Sequence, residues 1–242
     1  MKRGKIRTKL AKVEADSIVV RGHDLAELIG TVSLGDMAFL ELTGRLPSPG
    51  ESAVFNALAV TLVEHGLTPS AIATRMTLLG APESLQGAVA AGLLGLGSRF
   101  GGPVEDVARM LQSGEDAPRI VASYAERKAP IPGLGHPQHT EVDPRVSRLF
   151  AVASANGIRG AHTELMEAVA QEAERALSRR LPINATGAMG AIASDLGLRW
   201  QVCRGLAVMA RAIGLVAHVQ EELDDPVAPE IWRRVEDEAR GL

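Results

Sequence analysis

Aromatic residues are scarce: one tyrosine, two tryptophans and four phenylalanines make up 3% of 242 residues. A core with few large rings must close through small side chains. The 25 glycines and abundant alanine therefore predict dense helix–helix packing. Cys203 is the single cysteine, which excludes an internal disulfide and fits a reducing, cytoplasmic setting. It sits among Val202, Leu206 and Val208 and reads as core rather than nucleophile. No apolar run of membrane length is expected, since the longest, near Gly205–Val219, is interrupted by Arg211 and His218. Neither sign of charge dominates: 26 basic against 29 acidic residues give a net charge of -3, which disfavours nucleic acid as a partner. The P-loop, the dinucleotide fingerprint, HExxH and Cys/His zinc spacings are all missing, so neither those nucleotide sites nor a metal is expected. A secretory hydrophobic region is missing too. The first dozen residues carry Lys2, Arg3, Lys5, Arg7, Lys9 and Lys12 without an acid. They read as a solvated arm; a transit peptide would be Ser-rich.

What is present is helical punctuation. Ser33 and Asp36 open an apolar-periodic segment that Gly44 closes. Ser48-Pro49 opens a second, closed by Gly66, and Thr68-Pro69 a third, closed by Gly80. Ser84 begins a Gly/Ala/Leu helix ending near Gly97. Further helices are expected over roughly 102–112, 118–129, from 145, 161–179, 187–196, 201–222 and 229–240. Strand signals are confined to a short segment at Ile18–Arg21. The class is all-α. The stretch 129–144 holds four prolines and two glycines and cannot be one helix. A loop of that length in a compact helical chain is more often functional than filler.

Several residues carry chemistry without reference to any family. His136 follows Gly133-Leu134-Gly135, where glycines leave backbone N–H groups open to a ligand. Arg145 comes nine positions later at a helix start. Together they could hold an oxygen-rich anion while the histidine transfers a proton. The alternative is a loop histidine with a local hydrogen bond. His65 ends a helix, where an imidazolium would complement the dipole. Arg211 lies inside an apolar helix and needs a carboxylate partner, from a substrate or from the protein itself. Asn184-Ala-Thr186 matches a glycosylation sequon, set aside because nothing indicates secretion.

The spacings resemble those of citrate synthases, citryl-CoA lyases and the citryl-CoA-cleaving module of ATP-citrate lyase. Arg21-Gly-His-Asp-Leu-Ala-Glu-Leu28 with Gly44-Arg-Leu-Pro47 is similar to the family's opening pattern. His65-Gly-Leu through Arg75, Gly133-Leu-Gly-His136 with Asp143-Pro-Arg145, and Arg211-Ala-Ile-Gly-Leu-Val-Ala-His218 resemble three further motifs, in family order over about 200 residues. The resemblance implies a citrate-synthase-like helical fold over the single chain 1–242, with a large lobe from the N- and C-terminal parts and a small lobe of roughly residues 100–200. It implies coenzyme A as part of the substrate, no metal, and a homodimer or higher homo-oligomer, for which the Gly87–Gly97 segment suits close packing. His136 would handle the proton on the carbonyl or hydroxyl oxygen. Arg145 and Arg211 would bind carboxylates, and His65 would hydrogen-bond the acid. Gly133, Leu134, Gly135 and Arg99 would lie toward CoA.

Departures from the pattern refine this. Arg99-Phe100-Gly-Gly102 stands where synthases have a histidine before Gly-Gly, and it resembles ATP-citrate lyase; this favours lyase over synthase. Thr186 stands where the family has its catalytic aspartate, and a hydroxyl is no base at neutral pH. The arginine usually given by a partner subunit is not recognisable around Leu223-Asp-Asp-Pro226, and Pro137-Gln-His139 replaces basic residues used toward CoA phosphates. The expected activity is cleavage of citryl-CoA, or a similar 3-hydroxy-3-carboxyacyl-CoA, to acetyl-CoA and a 2-oxo acid such as oxaloacetate. The alternatives are a citrate- or methylcitrate-type condensing enzyme and a catalytically impaired CoA- or carboxylate-binding protein. A separate acid–CoA ligase is an expected partner, because the chain has no ATP-using portion; a membrane is not.

Overall fold

The computed structural model describes residues 8–135 and 143–241. The loop carrying His136 through Val142 therefore lies outside the described residues. Twelve helices dominate the described chain, preceded by a small antiparallel sheet, β1 (Ala11–Val13), β2 (Ile18–Val20) and β3 (His23–Asp24). The strand expected near Ile18 is there, while its two partners and the one-turn α1 (Leu25–Leu28) left no alternation long enough to read.

Local chemistry sets the helix starts. Ser33 opens α2 (Leu34–Thr43) and Ser48 opens α3 (Pro49–Val63), each through a reciprocal capping box, with Asp36 and Glu51 respectively. Gly44 ends α2 in the left-handed conformation. The second segment stops earlier than Gly66, because the Glu64 carboxylate takes the His65 and Gly66 N–H groups at 2.7 and 2.6 Å and turns the chain. After α4 (Pro69–Gly80), α5 (Leu85–Gly101) does not end at Gly97. Gly97 instead breaks it with a φ of 51°, and one further turn carries Arg99 and Phe100. Then follow α6 (Pro103–Leu111), α7 (Ala117–Glu126), α8 (Pro144–Ala155), α9 (Ala161–Leu177), α10 (Ala185–Asp195), α11 (Trp200–Asp224) and α12 (Ala228–Arg240).

The centre of the fold is α11, packed against α3, α4, α5 and α6. Its buried residues include Cys203, Leu206, Ala207, Ala210, Arg211, Gly214, Leu215 and His218, a stripe at alternating spacings of three and one. Contrary to the sequence expectation, α11 is long and apolar enough to cross a membrane by length and composition. Half of its most apolar window is buried inside the protein, however, with Arg211 and His218 on the buried stripe. One apolar core joins Phe39, Phe55, Leu58, Met189, Ile192 and Leu206; a second joins Val107, Ile120, Met166 and Val169. Phe39 and Phe55 meet edge to face at 5.5 Å, an arrangement worth about 0.5–1.5 kcal/mol beyond burial. Elsewhere small residues close the helix contacts, as the composition implied. Gly92 on α5 abuts Thr74, Ser70 and Leu215, leaving no room for a Cβ.

Candidate active site

Helices from distant parts of the chain surround a cavity of about 150 Å³. That is roughly the liquid volume of five waters, suited to a small acid and too small for a coenzyme. The end of α3 supplies Thr61 and Leu62, the following turn His65, and the start of α4 Thr68 and Ser70. Leu96 and Phe100 come from α5, Arg145 from α8, Ala185, Thr186 and Met189 from α10, and Arg211 from α11. The structure thus brings together His65, Arg145, Thr186 and Arg211, which stand up to 146 positions apart in the chain.

The two arginines are held differently. Arg145 is the second residue of α8, and Asp143 caps that helix. The buried Asp143 carboxylate accepts from Arg145 Nε at 3.0 Å and Nη2 at 2.8 Å, and from the Arg145 backbone N–H at 3.0 Å. It also reaches the Ala185 N–H at 3.3 Å. The Arg145 guanidinium, opposed by burial, holds this carboxyl below the usual carboxylate range. Arg145 is thereby fixed at the cavity edge. Arg211 is 7% exposed, and its Nε and Nη1 have no hydrogen-bond partner among the described residues. A guanidinium can only donate, and burying such donors unpaired is costly. Among the described residues no protein carboxylate pairs with Arg211, which lines the cavity.

The α4 N-terminus adds to this field. Thr68 is its N-cap but makes no side-chain cap bond, and its hydroxyl lies 3.0 Å from that of buried Ser70. Two hydroxyls and the positive end of a twelve-residue helix face the same space as the arginines. Sequence reasoning did not assign these hydroxyls a role, although Thr-Pro-Ser at a helix start was the available signal. His65 is exposed at the rim. No aspartate or glutamate lines the cavity among the described residues.

Thr186 is oriented by its neighbours. Asn184 caps α10, donating through Nδ2 to the Gly135 carbonyl at 2.7 Å, which places its Oδ1 toward the helix. That oxygen accepts from the Gly187 N–H at 3.1 Å and from the Thr186 hydroxyl at 2.7 Å. Thr186 therefore offers the cavity lone pairs rather than its proton. The sequon asparagine is wholly engaged inside the fold.

Two of the three N–H groups of Gly133, Leu134 and Gly135 are engaged within the fold. Leu134 N–H bonds to Ile131 O at 3.3 Å, Gly135 N–H to Pro182 O at 2.8 Å, and Gly133 O accepts from Asn184 N–H at 2.9 Å. Glycine is needed at 133 because its φ is 83° and a Cβ would lie 2.7 Å from Gly187. The segment ties the His136 loop to the start of α10, and it brings the loop's origin beside Thr186. Arg99 is exposed one residue before Phe100, outside the cavity lining. Cys203 is fully buried, and burial pushes its thiol up to about 12, as a core residue requires.

Residues 47–234 match the family model described as the citrate synthase C-terminal domain. The chain belongs to the citrate synthase family. Among solved structures, this family member is similar to the citryl-CoA lyase from Hydrogenobacter thermophilus, at 38% identity and a TM-score of 0.86, covering 91% of this chain and 88% of that one. The ATP citrate lyase from Methanothrix soehngenii, solved with citrate and coenzyme A, shares the fold at 22% identity and a TM-score of 0.77, covering 93% of this chain and 40% of that one. Among curated relatives, the ATP-citrate synthase beta chain protein 1 of Arabidopsis thaliana is 26% identical over 93% of this chain, and the citrate synthase 2 of Bacillus subtilis 24% identical over 88%. The chain spans 39% and 58% of the lengths of those two proteins.

Proposed function

We propose that this protein is a carbon–carbon lyase acting on citryl-CoA, or a similar 3-hydroxy-3-carboxyacyl-CoA, to give acetyl-CoA and a 2-oxo acid such as oxaloacetate. The observation that carries the reading is the buried Arg211, whose Nε and Nη1 have no partner among the described residues, lining a cavity with Arg145, His65 and the α4 N-terminus that no described aspartate or glutamate lines. Such a site takes an acid with more than one carboxylate. The likeness to a citryl-CoA lyase over most of both chains supports cleavage.

In this reading the two arginines and His65 clamp the carboxylates of the acid portion. His136, beyond the described residues, removes the hydroxyl proton. The new carbonyl forms as the C–C bond breaks, and the electron pair passes into the thioester enolate. Protonation of that carbon yields acetyl-CoA. Thr186 has its proton directed at Asn184, so its role is to accept a hydrogen bond from a water or from the substrate. Phe100 closes the cavity with an apolar face where a synthase would carry a proton donor. The CoA arm lies outside the cavity, toward Arg99. Gly133–Gly135 would act there as a scaffold, since its N–H groups at 134 and 135 are engaged. The cavity is the cleft between a large lobe and a small lobe of roughly residues 100–200. The assembly is a homodimer working with a separate acid–CoA ligase.

The test is a panel of hydroxyacyl-CoA thioesters incubated without ATP, with acetyl-CoA and 2-oxo acids measured as products. Release from citryl-CoA or a close analogue is expected. If no thioester is cleaved or formed while CoA and citrate still bind, the second reading takes over: a binding protein of this family. The observation favouring that alternative is the engaged hydroxyl at Thr186, where a base would be needed.

A further inference from the structure

Two motifs in the sequence, His65 through Arg75 and Arg211 through His218, are joined by a polar chain outside the cavity, buried at Arg75, His218 and Glu222. Arg75 on α4 is 1% exposed. Its Nη1 donates to Glu222 at 2.6 Å, and it also pairs with Glu221. Its Nε and Nη2 lie 3.2 and 2.8 Å from His218 Nδ1. A guanidinium has only hydrogens to offer, so Nδ1 must be the unprotonated nitrogen and Nε2 must carry the proton. Nε2 lies 3.2 Å from the Glu64 carboxylate. Glu64 in turn accepts the His65 and Gly66 N–H groups at 2.7 and 2.6 Å. Burial opposes ionisation of Glu64, but these two N–H groups and His218 outweigh it and hold its carboxyl below the ordinary value.

The helix geometry explains why this chain ends at His65. Arg211, Gly214 and His218 are spaced i, i+3 and i+7, one face of α11. At Gly214 the end of α3 comes so close that a Cβ would overlap the Val63 carbonyl. One face of α11 therefore presents Arg211 to the cavity, seats the end of α3 one turn later, and grips the following turn through His218. We infer that Glu64 and His218 are positioning residues that hold the His65 turn in register with Arg211, with Arg75 setting the His218 tautomer. The role rests on the reading of the cavity as an acid-binding site.

The test has two readouts on the full-length protein. Hydrogen exchange at the His65 and Gly66 amides needs no ligand, and citrate affinity is measured by calorimetry. Glu64→Ala, at a half-exposed position that should not threaten folding, is expected to speed exchange at both amides at least about tenfold and to weaken citrate by a similar factor. His218→Leu should do the same. His218→Gln, whose amide can both accept from Arg75 and donate to Glu64, should restore most of both. Unchanged exchange in Glu64→Ala and His218→Leu would overturn the chain. Faster exchange with unchanged citrate affinity would overturn its positioning role. A wild-type protein that binds citrate but cleaves no thioester would sink the lyase reading and leave this inference standing. A wild-type protein that binds no citrate would overturn both the acid site and the positioning role, even if exchange still responds.

Discussion

Two arginines lie buried against α11, and their surroundings are opposite. Arg75 meets Glu221, Glu222 and His218, and Glu222 also takes the Val227 and Ala228 N–H groups at the start of α12. Arg211, on α11 itself, lines the cavity and has two nitrogens with no partner among the described residues. A buried charge surrounded by acceptors is part of the scaffold: removing one partner strands the others. A buried charge without acceptors is a cost to the free protein that a bound anion relieves. The difference separates what holds the fold from what awaits a ligand.

The comparison can be broken by variants, and the largest effect is expected at neither arginine but at His136. His136→Ala should lower thioester turnover by roughly two to four orders of magnitude, the range of a positioned acid–base group. Its circular dichroism should match wild type, which separates a loss of chemistry from a loss of fold. Near-normal turnover would remove His136 from the chemistry.

Next comes the scaffold side. Arg75→Met should cost about 3–5 kcal/mol, since it leaves buried Glu222 without its charge partner. In a thermal scan that corresponds to a fall in Tm on the order of 10 °C. Glu222, whose ionisation burial opposes but Arg75 and the α12 N–H groups favour, is held below the ordinary carboxylate value. Its contribution is therefore present at neutral pH and lost as pH falls through that lowered value, so the Arg75→Met deficit should shrink in acid. A deficit independent of pH would place the effect in packing rather than charge.

The cavity side predicts a smaller chemical change. With Thr186 in place of a carboxylate, exchange of acetyl-CoA methyl protons with deuterated solvent should be slow or absent even with a 2-oxo acid bound. Thr186→Asp should raise it if the geometry holds, at some loss of stability if the site is dry. Rapid exchange in the wild type would mean another residue is the base. The smallest effect concerns assembly. Exposed apolar side chains on α3, α5 and α11, among them Val60, Leu94 and Ile213, favour a homodimer, and light scattering that returns a folded monomer would refute it.

Much of this was legible in the residues because it is local. Capping boxes at Ser33 and Ser48, prolines in first turns and the buried stripe of α11 depend on neighbours a few positions away. The longer helices appear near where those signals place them, with the end of α3 shifted by the Glu64 turn and α5 carried past Gly97. The small sheet was mostly missed because strands of two or three residues carry no periodicity. The convergence of His65, Arg145, Thr186 and Arg211 came from the resemblance alone. No spacing rule brings residues from the turn after α3 and from α8, α10 and α11 to one cavity. The state of Arg211 could not be read either, since whether an arginine is paired depends on what packs across from it. The glycines at 133 and 135 signalled a close approach, and the structure shows the Pro182–Asn184 backbone making it.

The most direct measurement is a calorimetric titration of citrate into the wild type and Arg211→Met, with Tm recorded for each without ligand. The account predicts that the variant is as stable as wild type or more so, because an unpaired buried charge has been removed. It also predicts that citrate affinity falls by at least about thirtyfold, equivalent to roughly 2 kcal/mol. A variant that loses stability while citrate binds it as tightly as wild type would show that Arg211 belongs to the scaffold after all.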